Sequence, residues 1–281
     1  MKALCAAVAW VLVCGAPVLG QSASVEASAP VLLSIGESFT VESRALGETR
    51  RINVYAPPAW DEEPGAARPV LYMPDGGIAE DFLHIAGLLQ VSVGNGTMRP
   101  FLLVGIENTQ RRRDLTGPTD DPQDRTIAPT VGGSAAFRAF LREELLPLID
   151  ARYPTTGETA IMGESLAGLF VVETLALEPE LFDTYIAFDP SVWWNREHLV
   201  EAAPKWIAGA GVAHAVYLAC SSEPELARLT RALAELLRRD APAGLKWHFR
   251  DMPEETHATI YHPAALHALR WLFKPEAAEG R

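Results

Sequence analysis

Cysteine is scarce: the 281 residues hold three, Cys5, Cys14 and Cys220. The first two fall in an apolar N-terminal stretch. A processed chain therefore keeps one thiol and no internal disulfide, and its stability has to come from a large core. Cys220 ends the apolar, strand-like run "AVYLAC", the setting of a buried, inert thiol rather than a nucleophile. Basic charge is also short. Lys and Arg number 24 against 36 Asp and Glu, a formal net charge of −12. That lacks the basic footprint with which nucleic-acid-binding proteins displace counterions, and it disfavours an anionic membrane surface. No histidine pair has the spacing of a metal-binding helix, no phosphate loop occurs, and no segment repeats. Neither a metal nor an organic cofactor is expected.

A sustained membrane-spanning run is missing as well. The candidate stretch, "ALCAAVAWVLVCGAPVLG", is marginal in length and broken by Gly15 and Pro17. With Met1-Lys2 ahead of it and small residues behind, it reads as a secretory signal peptide over 1–20. A small-residue linker over 21–35 follows, then one catalytic domain over 36–275. The expected product is exported, periplasmic or secreted, with no stable membrane insertion after cleavage.

What remains is ordinary globular material, 48% hydrophobic and 21% charged, in an ordered alternation. Alternating runs around Thr40–Ser43 and Arg51–Tyr55 predict a hairpin with its turn near Gly47. "RPVLYMP", "FLLVGI", "TAIMG", "TYIAF" and "AVYLAC" are short and apolar throughout, as strands buried on both faces of a parallel sheet are. Helical spacing separates them, with Phe82, Ile85, Leu88 and Leu89 on one face of the first helix. In the next, Phe137, Phe140, Leu141, Leu145, Leu148 and Ile149 share a face, with Ser134 as its N-cap and Pro147 as a kink. Further helices are expected over 166–177, 223–239 and 263–273, with "LKWHFRDM" as the last strand. This is a doubly wound α/β domain, with a mainly parallel sheet and helices on both faces. Its sites lie beyond the carboxyl ends of the strands. Residues 108–133 form a loop too long to be a plain connection.

"IMGESLAGLF" lies at one of those strand ends. Ser165 there is either an N-cap or a nucleophile on a strained strand-to-helix turn, in a Gly-x-Ser-x-Ala version of Gly-x-Ser-x-Gly. A serine hydroxyl needs a base and a third group to orient that base. His257 alone among the seven histidines follows the last strand in a loop, "PEETH", and is the expected base. The acid is sought first at Glu223, then Glu225, with Asp189 third; the two glutamates would equally suit a helix N-terminus. Oxyanion donors are expected at Leu166 N–H and at Gly77 or Gly76 in "MPDGG".

Taken in order, these segments resemble the α/β-hydrolase-superfamily esterases that include the enterobactin, salmochelin and bacillibactin esterases. "ALGETRRINVYAPPAW", "VLYMPDGG", "LVGIENTQRRRDLTGP", "MGESLAGLF", "LFDTYIAFDPSVWW" and "PEETHATIYHP" carry the resemblance, which runs from about residue 43 to 273. It implies an α/β-hydrolase fold, Ser165 as nucleophile, His257 as base, and a small-molecule ester substrate, anionic or siderophore-like. The family pattern is less uniform at the acid. Two departures are Ala167 for the usual glycine and Asp189 where serine is usual. Arg111, Arg112 and Arg113 offer planar, multidentate donors to an anionic or catecholate group, against local pairing with Asp114, Asp120 and Asp121. Trp193 and Trp194 are candidates to wall an acyl or aromatic pocket. The activity expected is carboxylic ester hydrolysis through an acyl-enzyme. The alternatives are a thioesterase or acyltransferase on the same machinery, or a non-catalytic binding protein of that fold.

Overall fold

Two alternating segments open the sheet: Glu37–Ser43 (β1) and Glu48–Tyr55 (β2) pair antiparallel. Gly47 makes their turn possible by taking φ +66, a conformation that a Cβ disfavours. The computed structural model describes residues 28–59, 63, 65–210, 213 and 215–275. The expected signal peptide, Cys5, Cys14, residues 21–27 of the linker and His214 lie outside the described residues. The chain divides at Ser34 and Ile35 into two units. Residues 28–34 of the first carry no helix or strand, and every element below belongs to the second.

Six more strands complete one sheet: Arg68–Pro74 (β3), Leu102–Ile106 (β4), Thr155–Glu164 (β5), Thr184–Phe188 (β6), Ala215–Cys220 (β7) and Lys246–Asp251 (β8). Their spatial order is β1-β2-β4-β3-β5-β6-β7-β8. Only the pairings of β2 with β1 and with β4 are antiparallel; the rest are parallel. Period-two alternation sends Val70, Tyr72, Ile161, Val216 and Leu218 to one core. Leu71, Met73, Met162, Tyr217 and Ala219 go to the other. Helices Ser134–Phe140 (α3), Leu166–Leu177 (α5), Ala203–Gly209 (α7) and Pro224–Asp240 (α8) cover the first face, and Phe82–Gly94 (α1) and Tyr261–Leu272 (α9) the second. This is the α/β-hydrolase architecture, doubly wound as the alternation of segments requires.

Two local expectations need correcting. Ser134 is not an N-cap: Gly133 holds that position, and Ser134 is the first helical residue, buried with no partner on its hydroxyl. The helix beyond is not simply kinked by Pro147. A π-helical turn, Leu141–Leu145, separates α3 from Leu146–Arg152 (α4), placing Pro147 in the first turn of α4.

The 108–133 loop is built in rather than loose. It contains the short helix Arg111–Asp114 (α2) and a 3-10 turn, Asp124–Thr126. Buried Arg50 donates to Thr109 Oγ1 and Asp114 Oδ2, each at 2.6 Å, and Arg113 binds Glu48 and Asp114. Burial alone would raise the Glu48 carboxyl. Hydrogen bonds from Arg113, Thr109 and Arg50 outweigh it and bring the pKa from 4.5 to about 2. A carboxyl depressed in the folded state contributes stability that is complete above the unfolded value and lost as pH falls through the folded one. The stability difference between wild type and Glu48→Gln is therefore expected to be largest above 4.5 and to close as pH approaches 2. Denaturant melts across that range measure it, and a difference independent of pH would contradict the assignment.

Candidate active site

Ser165 stands between β5 and α5 with φ 61 and ψ −120, a conformation that residues with a Cβ rarely adopt. Surrounding bonds hold it there: its N–H donates to Phe188 O at 3.0 Å, and its carbonyl accepts from Leu169 N and Ser191 N. Its hydroxyl makes no helix-capping bond, so the capping alternative fails. Gly163 explains how strand and helix approach so closely. A Cβ there would lie 2.7 Å from the Cβ of Ala167. The bare residue at 163 thus makes room for alanine where the motif usually has a second glycine.

The hydroxyl instead meets His257. Ser165 Oγ lies 3.1 Å from His257 Nε2, and His257 Nδ1 lies 3.0 Å from Asp189 Oδ2. Three strand ends bring these groups together: Ser165 follows β5, Asp189 follows β6 at φ 40, and His257 follows β8. Asp189 is fully buried, and its oxygens also accept from Ser221 N at 2.7 Å and Ser221 Oγ at 2.6 Å. Ser221 follows β7, so the neighbouring strand end braces the carboxylate. The His257 loop is fixed in turn by Ser222 N donating to Glu255 O at 2.9 Å. The hydrogen bond to Asp189 is the main reason the His257 pKa rises above 6.5; burial opposes it, and the charges of Glu164, Asp189 and Glu223 add to the rise.

The order of candidate acids is thereby reversed. Glu223 is exposed at the N-terminal boundary of α8, and Glu225 is exposed in its first turn, where the helix dipole favours carboxylates. Neither makes a hydrogen bond to His257. Sequence reading also passed over Glu164, the variable residue of the serine motif. Its Oε1 lies 3.3 Å from His257 Nδ1, and burial pushes its pKa up to about 7. Glu164, Asp189 and His257 bring three ligand-type atoms within 4.8 Å of one another. The hydrogen bonding of an imidazole between two carboxylates accounts for that cluster, and we assign no metal to it.

The oxyanion donors divide unequally. Leu166 is the first helical residue, so its N–H has no intrahelical acceptor. Gly76 N–H donates to Ile106 O at 3.0 Å, and a Cβ there would fall 2.3 Å from Gly105 Cα. Gly76 therefore serves the close packing of β3's end on β4. Gly77 N–H donates to Glu80 Oε2 at 2.7 Å while Glu80 N donates back to the Gly77 carbonyl, closing a tight turn ahead of α1. An oxyanion would have to take the place of that carboxylate.

The three arginines have different partners. Arg111 forms a bidentate pair with Asp75, at 2.7 and 2.8 Å, and Arg113 belongs to the Glu48–Asp114 network. Arg112 is exposed. All three border a hollow of about 460 Å³. Trp194 is buried, its indole N–H donating to Gly117 O at 2.9 Å, and it borders a second hollow of about 380 Å³; half-buried Trp193 packs on the core. Asn195, Arg196 and Glu197, within Trp194–Glu201 (α6), follow in a left-handed turn at φ 48, 55 and 63, held to the long loop by Asn195 N donating to Asp124 Oδ2. Away from this region His267 Nδ1 meets Tyr217 OH at 2.7 Å and its ring stacks on His248, both packing roles. Burial pushes the Cys220 thiol up to about 12, as an inert thiol requires.

Residues 43–225 match the Esterase family model, described as Putative esterase. The span includes β5, Ser165 and Asp189 and stops short of His257. Ferri-bacillibactin esterase BesA of Bacillus subtilis is 26% identical over 254 residues, covering 82% of this chain and 87% of that protein. The siderophore triacetylfusarinine C esterase of Aspergillus fumigatus is 32% identical over 206 residues, 66% of this chain and 65% of that protein. Among solved structures, an IroE-like serine hydrolase from Shewanella oneidensis superposes with a TM-score of 0.76 at 30% identity, covering 85% of this chain and 80% of that one.

Proposed function

This chain belongs to that esterase family and is a carboxylic ester hydrolase; from this premise we propose that it is an exported serine esterase acting through Ser165, His257 and Asp189. The observation that carries the proposal is the unbroken contact from Ser165 Oγ through His257 to buried Asp189. Ser165 Oγ attacks the ester carbonyl as His257 Nε2 takes its proton. Asp189 holds the Nδ1–H and stabilises the imidazolium, keeping the other ring nitrogen free to act as base. Leu166 N–H, joined by Gly77 N–H once Glu80 yields it, receives the developing oxyanion. The imidazolium then protonates the departing alkoxide. A water, deprotonated by His257, attacks the acyl-enzyme and releases the acid.

The substrate side of the proposal is an ester of a siderophore-like molecule, anionic or catecholate, met by exposed Arg112 on the long loop. The names of the relatives and the placement of Arg112 support it. The negative net charge of the chain makes a local cation the more necessary for such a ligand. Export is proposed from the N-terminal sequence. Among the described residues no helix is long and apolar enough to cross a membrane.

Parallel hydrolysis of a catecholate trilactone, loaded with iron and iron-free, and of a neutral short-chain aryl ester tests the substrate. A trilactone kcat/KM above that of the aryl ester by about a hundredfold, reduced by Arg112→Ala on the trilactone alone, is the expected result. Equal rates on both, unaffected by Arg112→Ala, would leave a general esterase and remove the siderophore assignment.

A further inference from the structure

We propose that Glu164 is a positioning residue for the reaction, a second carboxylate on His257 whose ionisation tunes the basicity of the imidazole. The inference rests on the Ser165–His257–Asp189 reading and adds to it a group outside the usual three.

Geometry is the first support. His257 Nδ1 lies between Asp189 Oδ2 at 3.0 Å and Glu164 Oε1 at 3.3 Å. One N–H cannot bond fully to both. Asp189, fully buried and donated to twice by Ser221, holds the stronger contact. Glu164 is not so braced. His257 is the one ion-pair partner of its carboxylate among the described residues. The side chain is only 16% exposed, and its placement follows directly from the elbow. Glu164 is the last residue of β5, one position before the strained serine, so the turn that presents Ser165 to Nε2 also fixes Glu164 near Nδ1.

The charges around the pair give the contact a consequence. Glu164 faces His257 from the loop after β8, Asp189 from the end of β6, Arg111 from α2 and Asp81 from the start of α1. Burial raises its pKa; His257 and Arg111 lower it, while Asp189 and Asp81 raise it. His257 is faced by Asp189, Glu164 and, from the start of α8, Glu223. Two groups this close titrate as a pair. With Glu164 ionised, the imidazolium formed during serine attack is flanked by two anions. With Glu164 protonated, Asp189 is the one anion among the described residues left in contact with it. The second carboxylate therefore favours the charged base in the transition state. It also makes the resting base easier to protonate, so activity is lost at a higher pH on the acid side.

Removing the charge has two opposite effects that simple loss of structure would not produce. In Glu164→Gln the His257 base stays neutral to lower pH, so the acid limb of kcat/KM moves down by about one pH unit. At the plateau the rate falls about tenfold, because one anion no longer stabilises the imidazolium. Glu164→Asp keeps the charge at greater reach, and its acid limb lies between the two.

The experiment measures kcat/KM for an activated aryl ester, and the fluorophosphonate labelling rate, from about pH 5 to 9. It uses the mature chain as wild type, Glu164→Gln, Glu164→Asp and Ser165→Ala. A downward shift of the acid limb with a lowered plateau in Glu164→Gln, partly restored in Glu164→Asp, is the expected result. Superimposable acid limbs in wild type, Glu164→Gln and Glu164→Asp would overturn the proposal while Ser165→Ala stays inactive. Should Glu164→Gln fail to fold, Glu164→Asp decides: an acid limb below that of wild type supports the proposal, and an unshifted one overturns it. Reaction of Ser165→Ala at the wild-type rate is a different outcome, in which the Ser165 reading itself fails.

Discussion

Replacing Ser165 with alanine is expected to abolish fluorophosphonate labelling and to lower kcat for ester hydrolysis by about 10⁶-fold, the loss typical of removing the nucleophile of a serine-hydrolase triad. Folding should be almost untouched. The Ser165 hydroxyl makes no capping bond to the helix it precedes, so its loss should change stability by less than about 0.5 kcal/mol. A true serine N-cap would behave in the opposite way. Alanine there would cost about 1 kcal/mol of stability and leave labelling unchanged. Thermal melts and probe labelling on the same two proteins therefore separate the two roles. The φ of 61 is held by bonds from neighbouring backbone, Leu169 N–H and Ser191 N–H among them, which alanine leaves in place. Retained labelling in Ser165→Ala would sink the nucleophile assignment.

Asp189→Asn should cost about 10⁴-fold in kcat, while Glu223→Gln and Glu225→Gln stay within about twofold of wild type. Asparagine fills the same buried space and can still accept from Ser221 N–H. On the histidine side, however, the amide can present an N–H. It then favours the imidazole tautomer with its proton on Nε2, which cannot take the serine proton. The glutamates have no such leverage. Glu223 acts on His257 only through space and more weakly than Glu164 or Asp189, and its exposure screens that effect further. A large loss in Glu223→Gln, with Asp189→Asn near wild type, would restore the first sequence choice.

That first choice went astray for a physical reason. Chain order shows which residues follow each strand, but the direction in which a side chain leaves a strand end depends on the local backbone. Asp189 leaves β6 through a left-handed φ of 40, and Ser221 after β7 fixes its carboxylate. "AFDPSVWW" does hold a signal, a carboxylate immediately before proline at the end of a fully buried strand, and also a departure from the family pattern. Only the adjacency of β5, β6 and β7 turns that departure into a partner for His257. The arginines tell the same story. "TQRRRDL" exposes three identical guanidinium groups to sequence reading. Folding pairs Arg111 with Asp75 and Arg113 with Glu48, 36 and 65 residues away along the chain.

By itself the sequence determined the fold class, the positions of the eight strands and of the helices α1, α5, α8 and α9, and the choice of Ser165 and His257 as candidates, which the fold brings into contact. Those features are written in short-range terms: hydrophobic period, glycine at the elbow, and a histidine after the last strand. Tertiary structure alone decided which carboxylates meet His257, namely Asp189 and Glu164, together with the engagement of Gly76 in strand packing and the division of labour among the arginines. Each depends on which groups meet across distant segments, and a hydrogen bond a few tenths of an ångström shorter is decided by packing geometry that local pattern does not encode.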